Sequence, residues 1–316
     1  MLLLIPYSLA FANIDKLCVH FIDVGQGDVI LLASPDGSYA LIDGGDRYRA
    51  VEEALLCYLR AQNIDEFEFV VSTHPHADHI GGLIPVLNNF MVKRVYDSGR
   101  VHTTKLYENY LTLIGKLDIP FYMPRRGDTI SLGGIVLTVL HPASPVDKYS
   151  LNDASIALHL EYGEISFLFT GDLELAAERE ILTSGVDISS ALLNVAHHGS
   201  KTSTSVPFLD SVNPEIAVIM VGNNSYGLPS GEILNRLRAR GIKVLRTDLH
   251  GHIVICTDGG TYSIRTEKVV NVENNVTHNG DEEEKTTCLP GQININTASK
   301  TELKGFGELG QQLRIT

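Results

Sequence analysis

Between Thr73 and His79 the chain reads Thr-His-Pro-His-Ala-Asp-His, which puts three imidazoles and a carboxylate into six positions. Imidazole and carboxylate together suit zinc, manganese and similar divalent ions. The cluster directly follows the apolar run Phe67-Glu68-Phe69-Val70-Val71 and precedes Gly81-Gly82, the setting of a strand end followed by a turn. In an extended segment residues two apart point the same way, so His74 and His76 aim together. Asp78 and His79, in the turn beyond, can face a second ion nearby. Two later apolar runs end in the same chemistry: Phe169-Thr170-Gly171-Asp172, and Leu192 to Ala196 followed by His197-His198-Gly199-Ser200.

These groups need a frame to bring them together. Leu17–Asp23, Val29–Ala33 and Tyr39–Asp43 read as strands separated by the turn signals Gly25-Gln26-Gly27 and Pro35-Asp36-Gly37. Residues 50–61 have helical spacing, with Val51, Ala54, Leu55 and Leu59 on one face. A helix to Phe90, a strand over Met91–Tyr96, a helix over Lys105–Leu117 and a hairpin over Thr129–Leu140 follow the histidine cluster. The second half repeats the logic: strands at Ser155–Glu161, Ile165–Thr170, Ala191–Ala196 and Glu215–Val221, helices at Glu174–Leu182 and Glu232–Arg240, and β elements from Lys243 to about Arg265. Two such series predict a mixed α/β fold of two stacked sheets with helices outside.

Composition narrows the partners. The 316 residues carry 25 basic and 38 acidic side chains, a net charge of −13 with neutral histidine. That argues against broad electrostatic capture of nucleic acid, yet leaves a nucleic-acid substrate open, because bound divalent ions offset acidity locally. An apolar content of 44% fits a soluble globular core, and no segment after the first has the length of a membrane helix. The start, Met1–Ala12, is apolar and ends in Ala10-Phe11-Ala12, which fits a signal-peptidase site; Pro6 and the lack of preceding Lys or Arg fit equally a longer hydrophobic segment or a terminal strand. A signal there implies an extracytoplasmic or cell-surface protein, and its absence a cytoplasmic one. Cys18 and Cys256 lie in strand-like runs and read as core residues; with Cys57 and Cys288 they form no paired metal spacing. Val270–Pro290 turns polar and acidic, including Asp281-Glu282-Glu283-Glu284, as a linker does. The expected division is therefore 1–16, 17–267, 268–290 and 291–316. No protein partner can be inferred.

The His-x-His-x-Asp-His pattern of His74–His79 resembles the signature of the metallo-β-lactamase superfamily. Taken with Asp23-Val24-Gly25-Gln26-Gly27-Asp28, Asn152-Asp153-Ala154-Ser155, Thr170-Gly171-Asp172 and His197-His198-Gly199-Ser200, it is similar to the detached metallo-hydrolase domain of the ComEC-type competence branch, over about Leu17 to Arg265. The resemblance implies a four-layer αββα sandwich, a centre of two divalent ions (zinc or manganese), and a nuclease or phosphodiesterase acting on DNA during uptake. It implies His74, His76, Asp78 and His79 as ligands, Asp172 as a bridging carboxylate, and one of the histidine pair completing the second ion's set. His197, at the strand end, is the first choice, with His198 behind it or facing substrate; the reverse order is also open. The superfamily's third histidine before Asp172 is missing, and Asn152 or Asp153 can take its place through oxygen, with His141 and His159 as alternatives. Oxygen ligation would favour manganese. Two close ions activate water for attack on phosphorus, with Asp78 orienting it and His198, Ser200 and Lys201 holding phosphate or assisting the leaving group. Asp23, Asp28 and Asp43 would brace the ligand loops.

Two departures matter. Relatives often have Tyr-Gly-His-Pro where this chain has Tyr226-Gly227-Leu228-Pro229, which removes any substrate contact made by that histidine. Gln292 to Leu303 resembles the opening of a ComEA-type helix-hairpin-helix domain, but only six residues follow Gly305–Gly310, too few for the complete module. Two other functions therefore compete: hydrolysis of another ester (a cell-wall phosphodiester, lactone or thioester), and non-catalytic DNA tethering around a structural metal.

Overall fold

The computed structural model describes residues 16–269. The apolar N-terminal segment, all but the first two residues of the expected linker, and the helix-hairpin-helix-like segment lie outside the described residues.

Two sheets form the centre. The first contains β1 (Leu17–Phe21), β2 (Ile30–Ala33), β3 (Tyr39–Ile42), β5 (Phe69–Ser72), β7 (Val95–Asp97) and β8 (Phe121–Tyr122), joined at its other edge by β16 (Ile253–Thr257) and β17 (Tyr262–Thr266). The second runs in the order β15 (Lys243–Arg246), β14 (Ile216–Ile219), β13 (Leu192–Asn194), β12 (Ile165–Phe169), β11 (Ala157–Tyr162), β10 (Ile135–His141), β9 (Thr129–Leu132). The two short strands β4 (Glu66–Phe67) and β6 (Met91–Val92) pair separately. This splits the strand expected over Met91–Tyr96: Met91–Val92 pair with β4, whereas Val95–Asp97 pair with β5 of the first sheet.

Alternation along the strands explains the layering. Val19, Phe21, Ile42, Phe69 and Val71 of the first sheet share one buried cluster with Leu137, Leu158, Phe167, Phe169 and Val218 of the second. The opposite faces bury against helices. Leu41 and Val70 pack with Leu55 and Leu59 of α1 (Arg49–Ala61), with residues of α3 (Leu83–Asn89), and with Tyr110 of α4 (Lys105–Lys116); between α1 and α3 lies the single turn α2 (Ala77–Ile80). Leu168, Leu193 and Ala217 pack with Ile181 of α5 (Leu175–Ser184), Phe208 of α6 (Val206–Val212) and Leu237 of α7 (Gly231–Ala239). The result is the four-layer αββα sandwich. Each buried Leu or Phe contributes about 1.5–3 kcal/mol, and because both faces of the central strands are apolar, one face is covered by the opposite sheet and the other by helices.

The two halves of the chain do not make one sheet each. β16 returns to pair antiparallel with β1, placing Cys256 opposite Cys18. The two are joined by a disulfide across a Cα–Cα distance of 4.0 Å, so these cysteines are a covalent staple rather than simple core residues. Among the described residues no helix is long and apolar enough to cross a membrane.

β3, β5, β7 and β8 are parallel, as are β12 to β15. Loops leaving the carboxyl ends of parallel strands are where such sheets build sites. Asp43 follows β3, His74 follows β5, Asp172 follows β12 and His197 follows β13.

Candidate metal centre

Asp172 is the point where the two sheets meet chemically. Its carboxylate is buried, and its two oxygens face different histidines. Oδ1 lies 3.3 Å from His79 Nε2 and 3.8 Å from His198 Nε2. Oδ2 lies 3.7 Å from His74 Nε2 and 3.7 Å from His197 Nε2. Asp78 Oδ2 adds a further contact, 3.3 Å from His198 Nε2.

These separations suit shared coordination better than hydrogen bonding. His79 Nε2, His198 Nε2 and Asp172 Oδ1 are buried without any hydrogen-bond partner, a costly state for isolated polar atoms. Ligand atoms about 2 Å from one ion at tetrahedral angles lie about 3.3 Å apart. Two trios of ligand atoms have such mutual proximity: His74, His79 and Asp172, and Asp78, His79 and His198. The residues present therefore fit a divalent ion.

The imidazoles are aimed by what holds their other nitrogen. His79 Nδ1 is 2.7 Å from Asp43 Oδ2, while Asp43 also accepts from Thr73 N (2.8 Å) and Thr73 Oγ1 (2.7 Å). His198 Nδ1 donates to Met220 O at 2.9 Å and lies 3.2 Å from Asp28 Oδ1. With the proton on Nδ1, both rings turn the Nε2 lone pair to the centre. Asp43 and Asp28 thus brace the ligand loops, whereas Asp23 is farther back, accepting from Gly25 N with Oδ1 while its backbone N–H donates to His252.

Charge follows from this geometry. Burial favours neutral rings, but Asp172 and Asp43 outweigh it at His79, and Asp172, Asp28 and Asp78 outweigh it at His198; both are held well above the usual imidazole range. Asp172 and Asp78 are lowered despite burial, because the facing histidines favour their charged forms. His74 goes the other way: burial, with His79 beside it, keeps it neutral. Carboxylates that retain protons on two buried rings make the same place favourable for a divalent cation.

Backbone geometry decides which histidine enters. His197, His198 and Gly199 all have positive φ, at 52°, 52° and 80°. For non-glycine residues this left-handed conformation costs about 1–2 kcal/mol each, and here it turns the chain sharply after β13. His198 swings inward and is buried, while His197 retains 24% side-chain exposure, with Nδ1 3.4 Å from Glu174 Oε1. The preference for His197 as partner of Asp78 and His79 is therefore reversed: His198 joins them. His197 instead faces the Asp172 oxygen that also faces His74. On the other side, Gly27 (φ 129°) lets the Asp28 loop press against the Asp78 carbonyl, where a side chain would collide.

Other expected residues take different places. The Asp153 carboxylate is engaged elsewhere: Oδ1 accepts from Glu174 N and Ala177 N, both at 3.1 Å, capping α5, and Oδ2 accepts from Ser150 Oγ. Asn152 Oδ1 is buried with no hydrogen-bond partner, and Ser155, three residues on, accepts the Asp172 N–H. His141 is committed to Asp153 O at 2.7 Å and His159 to Ser189 O at 3.2 Å. His76 Nδ1 sits 2.9 Å from His74 Nε2, its ring partly exposed. Ser200 Oγ pairs with Thr202 Oγ1 (2.9 Å) and Lys201 is exposed, so neither is aimed at the centre by a contact in the structure.

Sequence reasoning missed His102. Its ring lies 5.9 Å from that of His76, and its Nδ1 is 3.3 Å from Pro75 O. Nothing in the local pattern Arg100-Val101-His102-Thr103 signals this; it follows from the pairing of β5 with β7.

Residues 22–222 match the Metallo-beta-lactamase superfamily. The chain belongs to this superfamily. It is 33% identical over 252 residues to ComE operon protein 3 of Bacillus subtilis (strain 168), covering 74% of this chain and 32% of that protein. It is 30% identical over 234 residues to competence protein ComA of Neisseria gonorrhoeae, covering 72% of this chain and 30% of that one. The chain thus spans about a third of the length of either relative. In fold it is similar to CmlA, a diiron β-hydroxylase from Streptomyces venezuelae, with a TM-score of 0.50, 13% identity, and coverage of 76% of this chain and 54% of that one. The domain is a metallo-β-lactamase-fold hydrolase related to competence proteins, and the superfamily implies divalent-metal binding.

Proposed function

We propose that the domain is a two-metal phosphodiesterase that cleaves DNA during its uptake. The observation that carries this reading is Asp172, with one oxygen toward His79 and His198 and the other toward His74 and His197. One ion would be held by Asp78, His79, His198 and Asp172 Oδ1, the other by His74, His76, His197 and Asp172 Oδ2, with Asn152 as a further oxygen donor. Bound there, divalent ions supply Lewis-acid stabilisation of phosphoryl oxygens and an activated water near neutral pH. The chain's own groups do the positioning: Asp43 accepts the Nδ1 proton of His79, Met220 O accepts that of His198 with the Asp28 carboxylate beside it, and Asp78, whose side chain is 30% exposed, is accessible for orienting the nucleophile. The competence relatives support DNA as substrate.

The Cys18–Cys256 disulfide supports a place outside the reducing cytoplasm, since such bonds persist in oxidising compartments.

The test is purified protein loaded with manganese or zinc, assayed on single- and double-stranded DNA beside small phosphodiesters, lactones and thioesters. DNA is expected to be degraded, and His76→Ala and Asp172→Asn to abolish degradation. Cleavage persisting in both variants overturns the reading, and faster turnover of a lactone or thioester moves the domain to another ester.

A further inference from the structure

Loop Ser98–Thr104 leaves β7 beside the open end of the metal centre. Asp97 fixes its start by accepting from Gly99 N at 2.7 Å and Tyr107 Oη at 3.2 Å. His102 then comes within 5.9 Å of His76, ring to ring. One arginine lies within this loop and a second is bonded to it. Arg100 Nε donates to Tyr149 O at 3.1 Å, and Arg125, between β8 and β9, donates from Nη1 to Ser98 O (3.1 Å) and Pro124 O (2.8 Å).

What matters about these two is their place on the His102 loop together with guanidinium groups that no carboxylate neutralises. Among the described residues, Arg49, Arg94, Arg126, Arg236, Arg240 and Arg246 each have a carboxylate oxygen within 4.0 Å. The guanidinium groups of Arg100 and Arg125 have none, and neither do those of Arg47, Arg60, Arg179 and Arg238. Arg100, however, lies in the His102 loop and Arg125 is tied to it through Ser98 O, while the Arg125 backbone N–H donates to Asp128 Oδ2 at 2.7 Å. Backbone carbonyls orient both guanidinium groups yet leave donors and full positive charge unspent. A planar fork held in this way matches phosphate oxygens.

We propose that Arg100 and Arg125 form a phosphate-binding wall along the loop that carries His102, the ring neighbour of His76, and that this wall holds a strand phosphate neighbouring the one cleaved. This rests on the phosphodiester reading and deepens it, making the substrate a polynucleotide strand rather than a small phosphodiester. An otherwise acidic surface repels a polyanion, so a track for the strand requires local cations that are not already neutralised.

The test compares wild type, Arg100→Gln/Arg125→Gln and Arg100→Lys/Arg125→Lys on a labelled single strand of about twelve nucleotides. Binding is followed by anisotropy with calcium in place of the catalytic metal, across a salt series, and cleavage is compared with that of bis(p-nitrophenyl) phosphate. The glutamine pair is expected to weaken strand binding about 10–100-fold near 0.15 M salt, and to reduce the slope of log K against log salt by about 1.4. Its loss on the strand exceeds its loss on the small ester, and the lysine pair regains the slope. Arg125→Gln alone, whose contacts are two loop carbonyls, gives about half the slope change should the double variant fold poorly. Wild-type affinity and slope in the glutamine variants overturn the wall. A wild type that cleaves neither the strand nor the small ester instead overturns the phosphodiester reading.

Discussion

The centre has two unlike sides. On one, His79 and His198 are buried and each is backed by a carboxylate, Asp43 at 2.7 Å and Asp28 at 3.2 Å. On the other, His76 and His197 are partly exposed, and the backing is weaker: a Thr73 hydroxyl 3.2 Å from His74 Nδ1, and Glu174 3.4 Å from His197 Nδ1. Asp172 alone serves both. A backing carboxylate makes imidazole a better donor and fixes its direction. On the two-metal reading proposed above, the enclosed side would retain the tighter ion and the exposed side, with His102 beside it, would admit substrate.

The sharpest way to break this comparison is to remove one histidine of the adjacent pair at a time. His198→Ala dismantles the enclosed side, so calorimetric or mass-spectrometric metal titration is expected to lose the tighter site and activity to fall well beyond 100-fold. His197→Ala should leave the tighter site intact and weaken only the looser one. Equal losses of the tight site in both variants would mean that the two sides are not distinct.

A smaller effect is expected behind the ligands. Asp43→Asn keeps an oxygen near His79 Nδ1 and Thr73 but removes the charge that stabilises the ring. Loss of such a partner typically costs about 10–100-fold in metal affinity. Burial pushes the Asp43 carboxyl up, with His79 and Thr73 opposing, so part of the substitution's cost is offset by the desolvation it relieves. An unchanged affinity of the tight site in Asp43→Asn would remove the backing carboxylate as the cause of the asymmetry.

Legibility in the sequence followed the same asymmetry. His74, His76, Asp78 and His79 stand out because they are contiguous and end a strand, and Asp172 because Gly-Asp closes another. The choice between His197 and His198 was not readable: it depends on three successive left-handed residues, of which only Gly199 carries a compositional hint. The disulfide was hidden because Cys18 and Cys256 are 238 residues apart and become neighbours only when β16 returns beside β1. The two-sheet sandwich was readable from the two similar series of strands and helices together with the family resemblance, periodicity alone giving only a mixed α/β class. The return of β16 and β17 to the first sheet was not readable, since nothing local assigns an edge strand to a partner. Arg100 and Arg125 became visible only through the fold, which ties both to the His102 loop by backbone carbonyls.

The smallest effect separates two adjacent residues that sequence treats alike. Asn152 and Asp153 both offer oxygen where a third histidine is missing, and charge favours Asp153 as the better ligand. The fold spends that charge elsewhere, on the N–H groups of Glu174 and Ala177 at the start of α5, while the Asn152 oxygen is left buried and unpartnered. Asp153→Ala should therefore cost about 1 kcal/mol of stability, the usual value of a helix-capping side chain, with metal content unchanged. Asn152→Ala should do the reverse, leaving the melting transition of the metal-free protein nearly in place and loosening the exposed-side ion. If Asp153→Ala loses metal while Asn152→Ala does not, the oxygen donor of the exposed side is the carboxylate after all, and α5 must find another cap when the ion binds.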